Sequence, residues 1–169
     1  MKPAISMLLV LVLLVSCVGC KSQKIDDPVS FYYLRRSYNF GSSDSILAAE
    51  IKDASQYSTL SVMIGAYLRG PSDLTLASPF PAGTYLLNLK EENGCLYITL
   101  SDNFASITGI DLTLACCALA KTAMEFSDAE SVQIEAITAL LDGDSFINVT
   151  ADSIFLHDSY EDFTTNTTE

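Results

Sequence analysis

The chain has 169 residues, with 9 basic against 21 acidic side chains, for a formal net charge of −12. Such a surface repels nucleic acid and anionic headgroups, which excludes DNA, RNA and polybasic lipid-binding roles. Once an N-terminal targeting segment of about 20 residues is set aside, what remains suits a single domain around one hydrophobic core.

That targeting segment begins with Met1 and Lys2 as a short positive region, followed by an uninterrupted apolar run over residues 7–15. The run is too short to span about 30 Å of hydrocarbon, which takes about 20 apolar residues, so it predicts an export signal. Leu14-Val15-Ser16-Cys17 then resembles the lipobox of bacterial lipoproteins. In that motif the cysteine thiol accepts a diacylglycerol, a peptidase cuts before it, and the cysteine becomes the first residue. Val18-Gly19-Cys20 is a second candidate, but Cys17 occupies its leading aliphatic position, so Cys17 is favoured over Cys20. The competing interpretation is an ordinary secretory signal, or an uncleaved anchor, with two incidental cysteines. Lipidation would add about 0.8 kcal/mol per buried methylene. Two or more palmitate-like chains would hold the protein on the extracytoplasmic face of the cell membrane. The expected organisation is a signal over residues 1–16, an anchor and tether over 17–29, a domain over 30–158, and a polar tail over 159–169.

Within the domain, Phe31-Tyr32-Tyr33-Leu34 is aromatic and β-prone, and residues 39–45 form a Gly/Ser/Asn turn cluster. Residues 46–51 can pair back as a second strand. Leu60, Met63, Ile64, Tyr67 and Leu68 then fall on one helical stripe, with Ser58 as the expected N-cap and Gly70-Pro71 as the stop. A proline-rich turn over residues 78–83 follows. Two β-prone runs, residues 85–89 and 95–100, flank Glu92-Asn93-Gly94, and Asn-Gly in that setting predicts a tight hairpin.

A second helix is expected over residues 109–126, opened by Thr108 and Asp111 as a capping box with the shorter acid. Its buried stripe would be Leu112, Ala115, Cys116, Leu119 and Ala123. Residues 132–137 alternate as a half-buried strand, and Ser153-Ile154-Phe155-Leu156 reads as the last one. This order predicts an α+β fold, with two helices packed on one face of a small mixed β-sheet.

Residues that could carry chemistry are sparse. His157 is the single histidine and has no Gly-x-Ser-x-Gly partner motif, so a Ser-His-Asp triad has no support. Gly65, Gly70, Gly83 and Gly94 are scattered and build no phosphate loop. Asp142-Gly143-Asp144 offers two carboxylates where a calcium loop needs six or more oxygens, and Glu91-Glu92 sits beside a solvated turn. Cys95, Cys116 and Cys117 cannot pair completely, and the adjacent pair cannot close a relaxed bridge, so burial as small side chains is expected. The Asn-x-Thr sequons at Asn148 and Asn166 would matter only in a eukaryotic secretory pathway. No catalytic residue, metal site or cofactor is expected.

Four segments together resemble the GerM domain of sporulation and germination lipoproteins. Leu68-Arg69-Gly70-Pro71 is similar to that family's L-x-G-P, and Phe80-Pro81-Ala82-Gly83-Thr84-Tyr85-Leu86-Leu87 to its L-P-x-G-T-x-L-L. The segment from Asn93-Gly94 to Asp102-Asn103-Phe104 resembles D-G-x-x-x-V-D-L-S-x-x-F, and Glu125-Phe126 with Val132-Gln133-Ile134 resembles the strand entry that follows. A family V-D-G turn has its nearest equivalent, Asp142-Gly143, several residues late. The resemblance implies an α+β fold akin to ring-building modules and no enzymatic activity. Gly70, Pro71, Pro81, Gly83 and Gly94 take structural roles in helix end, turn and hairpin. The expected function is a membrane-anchored module that docks envelope proteins or itself in sporulation, germination or envelope assembly. The alternative is a lipoprotein that binds a small ligand or cell-wall fragment, for which the aromatic residues Phe31, Tyr32, Tyr33 and Tyr38 are the best support.

Overall fold

The computed structural model describes residues 25–37, 45–137 and 147–151. Strand β1 (Pro28–Arg35) alternates as a strand with one buried face must: Val29, Phe31 and Tyr33 point inward. It pairs antiparallel with β2 (Leu47–Asp53), from Pro28 opposite Asp53 to Leu34 opposite Leu47. On its other side β1 meets the two-residue β3 (Leu76–Ala77), with Leu34 opposite Ala77.

Between β2 and β3 runs α1 (Leu60–Leu68), which buries Met63, Ile64, Tyr67 and Leu68. The N-cap is Thr59 rather than Ser58; its hydroxyl accepts from the Val62 N–H at 3.3 Å. A one-residue shift is the usual uncertainty where two hydroxyl residues are adjacent, because either can reach the exposed N–H groups. The helix ends as expected, with Gly70 at φ +94° and its N–H on the Tyr67 carbonyl at 3.0 Å.

A second sheet has the order β4-β5-β6-β7. β4 (Leu86–Glu92) and β5 (Cys95–Leu100) form the hairpin predicted from Asn-Gly, and both turn residues have positive φ, +53° at Asn93 and +75° at Gly94. β5 then pairs parallel with β6 (Ser131–Ala136) after a crossover through α2 (Gly109–Met124), and β7 (Ile147–Thr150) closes the sheet antiparallel to β6. α2 packs against β1 as well as against β6 and β7, joining the two sheets through one core. The α+β class therefore holds, but the described strands make two sheets where one was expected. Strand identity follows from local alternation; partner choice does not, because it is set by which faces α2 covers.

Three further expectations are corrected or displaced. Thr108 occupies the N-cap of α2 with extended backbone, but its side chain makes no capping bond, so the capping box is not formed. Leu112 is only half-buried, and the buried face consists of Ala115, Cys116, Ala118, Leu119, Ala120, Thr122 and Ala123. The strand expected at 153–156 lies outside the described residues, as do the 39–44 part of the turn cluster, the 142–144 turn, His157 and the tail.

Candidate functional site

Helix α1, the proline-rich loop and the end of β5 bring three of the four motif segments into one cluster. The space a Cβ would take at Gly70 lies 3.7 Å from the Ser78 Cβ, so the helix end abuts the loop. Phe80 is buried there between Tyr67, at 5.5 Å edge-on, and Phe104, at 6.3 Å between ring centroids. Gly83 has φ +81°, and a Cβ on it would fall 2.8 Å from the Asn103 Nδ2. That nitrogen donates to the Ala82 carbonyl at 2.9 Å, so loop and turn clasp each other. The buried Ser101 hydroxyl accepts from the Tyr85 N–H at 3.1 Å and donates to the Gly83 carbonyl at 3.4 Å, while its own N–H reaches the Tyr85 carbonyl. Half-buried Pro71 follows the helix cap, and half-buried Pro81 supplies the carbonyl that accepts from the Thr84 N–H at 3.1 Å. The buried Thr84 hydroxyl has no hydrogen-bond partner among the described residues.

Gly94 belongs to a different place, at the opposite end of β5. Its carbonyl accepts from the Glu130 N–H at 2.8 Å and, more weakly, from Ser131 at 3.4 Å, where the chain enters β6. Cys17 and Cys20 lie outside the described residues.

Beneath β1 lies a polar seam that the residue pattern gave no sign of. The Tyr33 and Tyr67 rings stack 4.9 Å apart, and each hydroxyl donates to main chain: Tyr33 to the Tyr67 carbonyl at 2.9 Å, Tyr67 to the Tyr32 carbonyl at 2.7 Å. Thr122, inside α2, hydrogen-bonds the Tyr67 hydroxyl and accepts from the Tyr32 N–H at 3.0 Å. Burial drives both tyrosine hydroxyls well above their ordinary pKa, so they stay neutral donors at any physiological pH. Burial likewise pushes the Cys116 thiol up to about 12, with Cys117 adding to the effect, and raises Cys117 itself. Both are free, as is Cys95, and a thiol held protonated is a poor nucleophile.

At the surface, Glu50 on β2 holds the turn after α1. Its carboxylate accepts from the Ser72 and Asp73 N–H groups at 3.1 Å and from the Ser72 hydroxyl, and pairs with Lys52 at 3.0 Å. Partial burial works against its charge, but the Ser72 and Lys52 hydrogen bonds prevail and its pKa lies below the ordinary value. A cleft of about 460 Å³ opens between residues 27–29 and the segment leaving α2, lined by Asp27, Val29, Met124, Glu125, Phe126 and Asp128 among others. No group of three or more His, Cys, Asp or Glu among the described residues could hold a metal ion. Among the same residues no helix is long and apolar enough to cross a membrane.

Residues 30–137 match the family Germane, described as "Sporulation and spore germination". The chain belongs to that family. Among solved structures it is similar to the tandem GerMN domains of the sporulation protein GerM from Bacillus subtilis, at 18% identity and a TM-score of 0.49 over 71% of this chain. The match spans 42% of that tandem structure's length. The first GerMN domain of the same protein matches at 14% identity and TM-score 0.47, covering 64% of this chain and 83% of that one. A candidate lipoprotein from Clostridium perfringens matches at 16% identity and TM-score 0.39, covering 69% of this chain and 80% of that one. No curated protein matches.

Proposed function

We propose that this Germane domain is a non-catalytic docking module, carried on a lipid anchor at Cys17 on the extracytoplasmic face of the membrane and serving sporulation, germination or envelope assembly. One observation carries the reading: the family's signature residues are spent on rigidity. Gly70, Pro71, Pro81, Gly83 and Gly94 shape a helix end, a turn and a hairpin, the motif serine Ser101 and its neighbour Asn103 tie the loop to the end of β5, and no two of these residues offer an acid, base or nucleophile to a common point. A surface fixed in this way is pre-organised for a partner, since the ordering cost is met during folding. A small-ligand lipoprotein calls instead for a deep enclosed pocket with a few convergent polar groups. The cleft beside Phe126 is open and walled largely by polar atoms.

The test has two parts. Membrane fractionation of the parent, Cys17→Ala and Cys20→Ala proteins should show loss of anchoring or accumulation of precursor for Cys17→Ala alone. Cross-linking in membranes should then recover defined protein partners. Parent protein found free of the membrane would reject the anchor, and activity abolished by His157→Ala at normal abundance would reject the non-catalytic role.

A further inference from the structure

Residues 27–29, where the chain enters the domain, face the end of α2 across the 460 Å³ cleft. A second cleft, of about 340 Å³, shares its Met124 and Glu125 walls and reaches Ala151, where the chain leaves β7. Together they form one trough across the end of α2. It is open along its length, a shape that accepts an extended chain segment rather than an enclosed small molecule.

The floor of the trough is apolar, with buried Val29 and half-buried Met124 and Phe126. Its rim is acidic, with exposed Asp27, Glu125 and Asp128. Among the described residues no basic side chain forms an ion pair with these three carboxylates. Lys52 is held by Glu50 and Lys90 by Glu92, while Arg35 and Arg36 donate to main-chain carbonyls. Glu125 accepts from the Tyr32 hydroxyl at 2.9 Å, a neutral donor that leaves its charge uncompensated. α2 also ends here, and its last carbonyls add negative potential at the same point. Lys121 stands in the wall of the second cleft, its ammonium 4.7 Å from the centre of the Tyr32 ring. The trough is therefore polarised, acidic where Asp27 and Asp128 line it and basic beside Lys121.

Its position narrows the partner further. Ten residues lead from Cys17 to Asp27, and at ~3.6 Å each they reach about 36 Å at most. With the anchor proposed above, the trough stays that close to the leaflet, so it meets chains held at the same height.

We propose that the trough binds an extended, lysine- or arginine-bearing segment of a membrane protein next to the bilayer, which deepens the docking reading and rests on it. Basic side chains of the segment meet Asp27 and Asp128, its apolar ones cover Met124 and Phe126, and its non-basic end lies beside Lys121. A chain of net charge −12 attracts bases over its whole surface; the apolar floor between the carboxylates turns that general field into a seat.

Fluorescence anisotropy of the full chain in detergent, with a labelled peptide of alternating lysine and leucine, tests the chemistry. Asp27→Lys with Asp128→Lys should weaken binding roughly tenfold while leaving the thermal melt unchanged. The control reverses Asp102 and Asp111 to lysine, in and before the first turn of α2, for the same change in net charge. Asp111 lies about 21 Å from Glu125 along the helix at ~1.5 Å per residue, so this pair should change binding far less. Replacing the peptide's leucines with serine should also weaken it. Equal losses for the two charge reversals, or a serine peptide as tight as the leucine one, overturn the proposal. A photo-cross-linking amino acid at position 128 of the membrane-anchored chain then identifies the occupant. The cross-linked segment should carry two or more lysines or arginines interleaved with apolar residues, beside a membrane span. Cross-links to lipid, to a neutral or acidic segment, to Lys21 or Lys24 of the same chain, or to a second copy overturn it. A partner caught on another face, and retained when Asp27 and Asp128 are reversed, removes this site and leaves the docking module standing.

Discussion

The two sheets reach the same helix by different chemistry. The four-stranded sheet brings aliphatic side chains to the shared core, Leu96, Ile98 and Leu100 from β5, Val132 and Ile134 from β6 and Val149 from β7, and meets α2 through β6 and β7. The three-stranded sheet is tied to the helices by directional bonds, through Tyr33, Tyr67 and the Thr122 hydroxyl. An aliphatic face tolerates repacking so long as volume is kept, whereas a buried polar seam tolerates only the arrangement that satisfies every member. The first kind of contact supplies bulk stability and the second fixes how β1 sits on the pair of helices.

The largest effect should come at the helix both sheets share. Leu119 is fully buried, and Leu119→Asp places an unpaired charge in the core at a cost of several kcal/mol, against a typical total stability of about 5–15 kcal/mol. The variant should show no cooperative thermal transition; a melt near the parent's would mean α2 is not packed as described. Next, Ile98→Ala in the aliphatic sheet should cost about 2–5 kcal/mol and Tyr67→Phe in the polar seam about 1–3 kcal/mol. Their signatures should differ. Hydrogen exchange should quicken throughout for Ile98→Ala but chiefly in β1 for Tyr67→Phe, and equal exchange profiles would erase the distinction drawn between the sheets.

How far this contrast was legible in the sequence follows the same division. Aliphatic alternation and Asn-Gly are local signals, and they located the hairpin, α1, α2 and the core of β6. Thr122 reads as one more residue in an apolar helix, because its partners Tyr32 and Tyr67 are distant in the chain and no periodicity links them. The split into two sheets was hidden for the same reason. The Ser58 and Thr108 expectations failed where a hydroxyl had alternatives, or simply made no bond. Leu74 has the side chain of a core residue, yet it stands exposed on the turn whose Ser72 and Asp73 N–H groups Glu50 holds.

Smaller changes test the clasped loops against both sheets. Gly83→Ala must force a left-handed residue and displace the Asn103 amide, for about 1–2 kcal/mol. Denaturant titration should show a lowered midpoint with unchanged slope. Glu50→Gln should act mainly through pH. Because the folded-state pKa of Glu50 is depressed, its contribution is complete above the unfolded value and fades as pH falls through the folded one. The parent's melting temperature should therefore drop more steeply than the variant's on acidification below about pH 4.3, the ordinary glutamate value. Parallel acid limbs would show the clamp to be inert. Smallest, and opposite in sign, Thr84→Val should leave stability equal or raise it by up to about 1 kcal/mol, since it removes a buried hydroxyl with no described partner. A lowered melting point there would reveal a bond from that hydroxyl.

The Gly94 carbonyl has a consequence for the order of assembly. A hairpin closed by a two-residue turn forms within about 1–10 μs, because its strands are already neighbours in the chain. The parallel partner β6 arrives only after the intervening stretch containing α2 has been gathered in, a slower search over a long loop. By then the turn presents a fixed acceptor to the Glu130 and Ser131 N–H groups. The late strand thus meets a stop at its first residue, and a slip of one position, which would turn Val132 and Ile134 to the wrong face, is refused on contact.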